Sequence, residues 1–137
     1  GPINVGDVTA YTVLEKYSGR VHLIPDLTAD CTFTLPTPRA GLRYRFQYSG
    51  VAADTADWIF DARSDTNFFK GGLVHLDTDA GSAGDEVVPI AGDGDSNSKM
   101  TVLVPNPGTW VELIADGTNW HVVGAAVAAT VPSFADQ

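Results

Sequence analysis

The chain has 137 residues, with 17 acidic and 8 basic side chains that give it a formal charge of −9. Hydrophobic residues make up 44% of it, and no apolar run approaches the roughly 18 residues that a membrane-spanning helix needs. We therefore expect one soluble domain. A surface of this charge would be repelled by a phosphate backbone, so neither nucleic acid nor a membrane is an expected partner.

Alternation of apolar and polar residues predicts β-strands along most of the chain. In residues 42–48 the side chains at 42, 44, 46 and 48 face inward, whereas Arg43, Arg45 and Gln47 face outward. Residues 31–35 alternate in the same way, which predicts a buried Cys31. Residues 50–56 predict a loop. The other predicted strands span residues 11–15, 20–24, 58–60, 68–76, 86–90 and 99–104, and Gly71-Gly72 marks a bulge or a close backbone approach.

Residues 107–124 predict a β-hairpin with two tryptophans. The apolar side chains of its first strand recur at positions 111, 113 and 115, and the opposite face carries Trp110, Glu112 and Ile114. Asp116-Gly117 tolerates the positive φ that a reversal requires, and a second strand then spans residues 120–123. We expect the outward face of the first strand to be a subunit contact.

About ten short strands, at a spacing of about ten residues, predict an all-β fold, either an antiparallel β-sandwich or a jelly-roll-like barrel. We expect the domain to span residues 11–124. Residues 3–10 and 125–137 have no evident partner strand and are expected to be extended terminal arms. The Gly1-Pro2 start is typical of the scar that tag removal leaves.

The sequence contains no nucleophile elbow, zinc-protease pair, phosphate-binding loop or dinucleotide fingerprint, so we do not expect an enzyme or a cofactor. His22 and His75 share a Val-His-Leu context and would offer two metal ligands if their strands paired; the alternative is two ordinary strand histidines.

Residues 93–104 begin like a calcium-binding loop. They depart from that pattern because Ser98 replaces its glycine and Val104 its glutamate. Asp93 and Asp95, with Asp77 or Asp79, are weak metal candidates, and a solvated acidic loop is the alternative.

Two further groups of side chains each support two interpretations. Arg39, Arg43 and Arg45 lie within seven positions and indicate either an exposed strand face or a docking patch for an acidic partner. The tryptophans at 58, 110 and 120 indicate either a sugar-stacking platform or core residues.

Two segments carry a family resemblance. Residues 32–46 read Thr-Phe-Thr-Leu-Pro-Thr-Pro-Arg-Ala-Gly-Leu-Arg-Tyr-Arg-Phe, which resembles a threonine-alternating strand, Leu-Pro and Ala-Gly-Leu-x-Tyr-x-Phe in virion structural proteins of tailed bacteriophages. Residues 108–124 are similar to the Gly-x-x-x-x-Leu-x-x-Asp-Gly-Thr-x-Trp-x-Val-x-Gly ending of the same proteins. With the approach at residues 17–23, these segments span most of the chain, roughly residues 11–124.

The resemblance implies a capsid decoration (cement) protein, usually a homotrimer, that binds the major capsid protein on the outer surface of the head. Such a protein is assembled in the host cytoplasm and carries no catalytic residue or cofactor. The alternative is a receptor- or carbohydrate-binding module of a tail or head fibre. The candidate contact residues are Ile3, Asn4, Val5, Arg39, Arg43, Arg45, Trp110, Glu112, Ile114 and Phe134.

Overall fold

The computed structural model of the chain describes residues 1–78, 87–93 and 95–136, and in residues 87–93 it describes the backbone alone. These residues are nearly all β, with one short 3-10 helix at Glu15–Tyr17. No described helix has the length and hydropathy that crossing a bilayer requires. The strands are β1 (Ile3–Asn4), β2 (Ala10–Thr12), β3 (Val21–Ile24), β4 (Cys31–Thr34), β5 (Arg43–Tyr48), β6 (Trp58–Asp61), β7 (Phe69–Asp77), β8 (Val87–Asp93), β9 (Lys99–Val102), β10 (Trp110–Ala115), β11 (Trp120–Ala128) and β12 (Ser133–Ala135).

The strands form two sheets. The larger sheet has seven strands in the order β1-β3-β5-β10-β11-β7-β8, and the smaller has five in the order β12-β9-β6-β4-β2. Both sheets are mixed. The expectation of antiparallel sheets is therefore wrong in strand direction, because β1–β3, β3–β5, β2–β4, β4–β6 and β7–β11 all pair in parallel.

Parallel pairing arises from the way in which the first part of the chain is wound. From β1 to β6 each strand lies in the sheet opposite to the one before, and each of β3 to β6 pairs in parallel with the strand two steps earlier. Residues 3–61 thus pass back and forth between the two sheets. Parallel neighbours need a crossover connection, and here a strand of the opposite sheet is part of that connection. The later strands β9 and β10 join β6 and β5 in antiparallel pairs.

The two sheets share one core, which is built from the inward positions of the alternating strands. Leu42, Tyr44, Phe46 and Tyr48 are all buried, which confirms the facing predicted for residues 42–48. Phe46 of the larger sheet lies with ring centroids 5.7 Å from Phe33 and 4.9 Å from Phe60 of the smaller sheet. These aromatic contacts join the sheets, and paired aromatic rings at such distances add to the free energy of burial.

The ends of the chain are not extended arms. In residues 3–10, Ile3–Asn4 pairs with β3 and Val5 is buried, its N–H donating to the Leu23 carbonyl at 3.0 Å. In residues 125–137, β11 continues to residue 128, and β12 pairs with β9 and packs Phe134 against Phe69. Unpaired strand edges offer hydrogen-bond partners to any neighbouring segment, and this is why both termini add strands.

Cys31 is buried and free, as predicted from its alternating context. Burial raises the pKa of its thiol to about 11, because the thiolate is disfavoured away from water. The side chain therefore acts as a small apolar core residue.

Gly71 lies where the backbone of β7 comes closest to that of β11, as the Gly71-Gly72 pair predicted. Its φ is 86°, and a Cβ there would lie 2.5 Å from the carbonyl oxygen of Val122. Only glycine combines that dihedral angle with that approach.

We predict that Gly71→Ala lowers the free energy of unfolding by about 2 kcal/mol or more, because it adds a clash to an unfavourable dihedral angle. Gly41→Ala is the matched control, since Gly41 has a φ of 95° and no atom within 4 Å of its added Cβ. It should cost only the dihedral strain, about 1 kcal/mol. Urea unfolding measures both, and equal losses would contradict the close approach.

His22 is fully buried between the two sheets, although a histidine on a strand was expected to be an ordinary residue or a ligand. Its ring lies 5.9 Å from Tyr11, 5.9 Å from Tyr44 and 5.1 Å from Phe46, measured between centroids. Neither ring nitrogen has a hydrogen-bond partner among the described residues. Burial lowers the pKa of His22, since the charged ring is disfavoured there.

We predict that His22 makes the fold sensitive to mild acid. Below about pH 6.5 the unfolded chain binds a proton at this ring that the folded chain does not, so the free energy of unfolding falls as the pH falls. The largest slope from one such group is about 1.4 kcal/mol per pH unit. His22→Phe should remove this part of the slope in urea unfolding measured between about pH 7 and about pH 5. Identical slopes in the two proteins would contradict the account.

Candidate functional site

The predicted hairpin is confirmed, and it occupies the centre of the larger sheet as β10 and β11. Asp116 organises its turn: Oδ1 accepts the N–H groups of Thr118 at 2.9 Å and Asn119 at 2.8 Å, and Oδ2 lies 2.8 Å from His121 Nε2. These hydrogen bonds hold the pKa of the Asp116 carboxyl well below its usual range. Gly117 supplies the positive φ, at 103°.

The outward face of β10 carries Trp110, Glu112 and Ile114, as the alternation predicted, while Val111, Leu113 and Ala115 are buried. Trp110 is half-buried, and the guanidinium carbon of Arg45 lies 4.3 Å from its ring centroid. A cation over an indole face is attracted by the ring and held in place. The stack therefore fixes Arg45 on the outer surface of the sheet.

A shallow pocket of about 300 Å³ opens on this surface, where β3, β5 and β10 lie side by side. We call it the arginine pocket; its lining residues are Gly19, Arg20, Val21, Arg43, Arg45 and Glu112. Arg43 Nη2 lies 3.0 Å from Glu112 Oε1, and Arg45 Nε donates to Gln47 Oε1 at 3.3 Å. Arg20 lies over the Tyr17 ring and donates to the carbonyl oxygen of Gly1.

The charge of the arginine pocket is opposite to that of the chain. Three of the five arginines in the sequence line it, together with a single carboxylate, whereas the whole chain carries −9. Of the three arginines that the sequence analysis grouped, only Arg43 and Arg45 line the pocket, and docking to an acidic partner stays a prediction. Arg39 lies on the loop before β5 and does not line the pocket. Its Nη2 lies 2.5 Å from Glu15 Oε1.

An apolar band adjoins the pocket on the same outer surface. It consists of Val74, Leu76, Ile114 and Val123, whose exposed fractions are 38%, 37%, 37% and 50%. Val123 lies opposite Glu112 in the ladder between β10 and β11, so band and pocket are contiguous. Apolar patches that remain exposed and continuous on a sheet are typical of contact surfaces.

The remaining predicted contact residues lie elsewhere. Ile3 and Asn4 form the short edge strand of the larger sheet, and Val5 is buried. Phe134 lies on β12, at an edge of the smaller sheet. The structure therefore brings together Arg43, Arg45 and the outward residues of β10, and it separates them from Arg39 and from Phe134.

The sugar-stacking platform of three tryptophans is wrong. Trp58 and Trp120 have no exposure and lie in the core, whereas Trp110 lies on the outer surface. A stacking platform needs exposed ring faces, and core packing is the commoner use of large aromatics.

The paired-histidine metal site is also wrong, because β3 and β7 are separated in the larger sheet by β5, β10 and β11. His22 is enclosed by aromatic rings, and His75 Nε2 lies 2.8 Å from the Ala128 carbonyl oxygen. The described residues contain no group of three potential ligands that could hold a metal. The side chain of Asp93, and all of Asp79, lie outside the described residues, so the candidate loop with Asp95 stays a prediction.

Comparisons with protein-family models, with curated proteins and with solved structures gave no significant match. The features that bear on function are therefore the two sequence segments and the outer surface of the larger sheet.

The sequence did not indicate two parts of this surface. Arg20 lies more than twenty positions before Arg43 and reaches the pocket only because β3 pairs with β5. Val74 and Leu76 join the band only because β7 pairs with β11. Their alternation along β7 predicted a strand face, but strand pairing decides which residues share it.

Trp110 provides a spectroscopic test of the outer surface. We predict that acrylamide quenches mainly Trp110, because the rings of Trp58 and Trp120 are buried. Trp110→Phe should remove most of the quenchable emission, and Arg45→Ala should increase quenching by uncovering the indole. Arg39→Ala is the control with the same loss of charge, and it should leave quenching unchanged. Similar effects of the two arginine variants would contradict the stack.

Proposed function

We propose that this chain is a structural protein of a tailed-phage virion that decorates the outer surface of the capsid and reinforces it. The observation that carries the proposal is the outer surface of the larger sheet, where the apolar band and the arginine pocket form one contiguous face. The resemblance at residues 32–46 and 108–124 supports the same proposal. Those segments supply β5 and the central hairpin, from which much of this face is built.

In this proposal the two sheets are the layers of a β-sandwich, a rigid support that presents the face without rearrangement. The ladder from β5 through β10 to β11 fixes the spacing of the outward side chains. A preformed surface loses little conformational entropy on binding, so more of the contact energy appears as affinity.

Reinforcement follows from mass action. A ligand that binds the assembled shell and not its dissociated subunits stabilises the shell by its binding free energy. We include in the proposal that the chain binds as a homotrimer to the major capsid protein. Linked copies raise the effective concentration of each weak contact, so a face of modest affinity on each copy gives strong overall attachment.

We predict that Val123→Asp weakens binding to heads about tenfold or more, because it places a carboxylate in the apolar band beside Glu112. The assay is co-sedimentation with expanded heads purified without this chain from the phage that encodes it. Val51→Asp is the matched control, since Val51 is 92% exposed on the loop between β5 and β6. It should change binding by less than about twofold.

Light scattering of each variant should give the same mass as the original protein, so that a loss of binding reports on the face and not on assembly. Failure of the original protein to sediment with heads would reject the decoration function. Attachment to purified tails instead would favour the receptor- or carbohydrate-binding alternative.

A further inference from the structure

We propose that the arginine pocket binds the carboxylates of an acidic protein segment that presents acidic and aliphatic side chains on the same face. The identity of the partner rests on the proposed function, in which the segment is an exposed part of the shell protein. The chemistry of the pocket stands on the geometry of Arg20, Arg43, Arg45 and Glu112 alone.

The pocket has hydrogen-bond donors to offer. A guanidinium carries five N–H donors in a planar fork that matches a carboxylate. Arg43 bonds Glu112 through Nη2 and its side chain is 62% exposed, while Arg45 bonds Gln47 through Nε. The other N–H groups of these two guanidinium groups are further donors that a ligand in the pocket can use. The position of Arg45 is restrained by the Trp110 ring, so less entropy is lost when a ligand binds.

Charge favours a discrete carboxylate over a phosphate polymer. Three arginines against one glutamate attract a single acidic group locally, but the −9 charge of the chain repels a ligand that is charged along its whole length. Complementary charge of this kind steers a partner and suppresses wrong ones. An acidic protein segment has local negative charge without a continuous charged backbone.

The neighbouring band favours aliphatic residues in the same segment. Arg43 lies opposite Ile114, and Glu112 lies opposite Val123, in adjacent ladders of the larger sheet. Charged and apolar positions are thus about one strand spacing apart on the outer face, about 5 Å. An extended segment that carries a carboxylate and an aliphatic side chain two residues apart presents both on one face and reaches both.

The test uses a fluorescein-labelled peptide with the repeat Glu-Ser-Val-Ser, which places glutamate and valine on one face of an extended chain, and its counterpart with glutamine in place of glutamate. Fluorescence anisotropy should show binding of the acidic peptide that weakens as salt is added. The double variant Arg43→Gln/Arg45→Gln should bind it about tenfold or more weakly. Arg39→Gln removes one arginine outside the pocket and should change the affinity by less than about twofold.

Glu112→Gln gives a result that misfolding would not produce. It removes the carboxylate that competes for Arg43, so the acidic peptide should bind more tightly, by about threefold or more. Equal binding by the original protein and the double variant would overturn the proposal. Binding of the uncharged peptide, or of a thymidine oligonucleotide, as tight as that of the acidic peptide would also overturn it.

The same variants separate this proposal from the proposed function. If the original protein binds the acidic peptide but does not sediment with heads, the pocket stands and the decoration function fails. If it sediments with heads and the double variant sediments equally well, the decoration function stands, and the pocket does not mediate it.

Discussion

The structure depends on the packing of the apolar faces of its central strands between two sheets. From β1 to β6 the chain crosses to the opposite sheet after each strand, so the inward positions of consecutive strands come together in one core. Phe33, Phe46 and Phe60 lie at the centre of that core and join the two sheets. Once the inward positions are committed to this contact, the outward positions of the same strands face away from the core.

The outer surface of the larger sheet follows from that commitment. Because alternation along β5 and β10 is strict, burial of Tyr44 and Leu113 places Arg43, Arg45 and Glu112 outside. The hairpin turn held by Asp116 keeps the register of β10 and β11, and a slip of one residue would exchange the two faces. The alternation that builds the core therefore also places the arginine pocket and the apolar band, and the packed core holds them rigidly.

Local features of the fold could be predicted from the sequence. The alternation at residues 42–48 and 110–115 predicted both the strands and their buried faces, because a period of two is a property of neighbouring residues. Strand direction and pairing could not be predicted, since they depend on crossovers between segments far apart in the chain. For the same reason, the strand pairing of the two termini and the position of Arg20 could not be predicted. Nor could the role of Asp54: the residues around it predicted only a loop, whereas its buried carboxylate accepts the N–H groups of Leu27 and Thr55.

Cryo-electron microscopy of expanded heads incubated with the chain shows directly whether it decorates the shell through this surface. We expect density for the chain on the outside of the shell, with the outer surface of the larger sheet, including Arg43, Arg45 and Val123, turned towards the shell protein and against an acidic segment of it. Density in which that surface faces solvent, or in which the chain is found on the tail alone, would contradict the account.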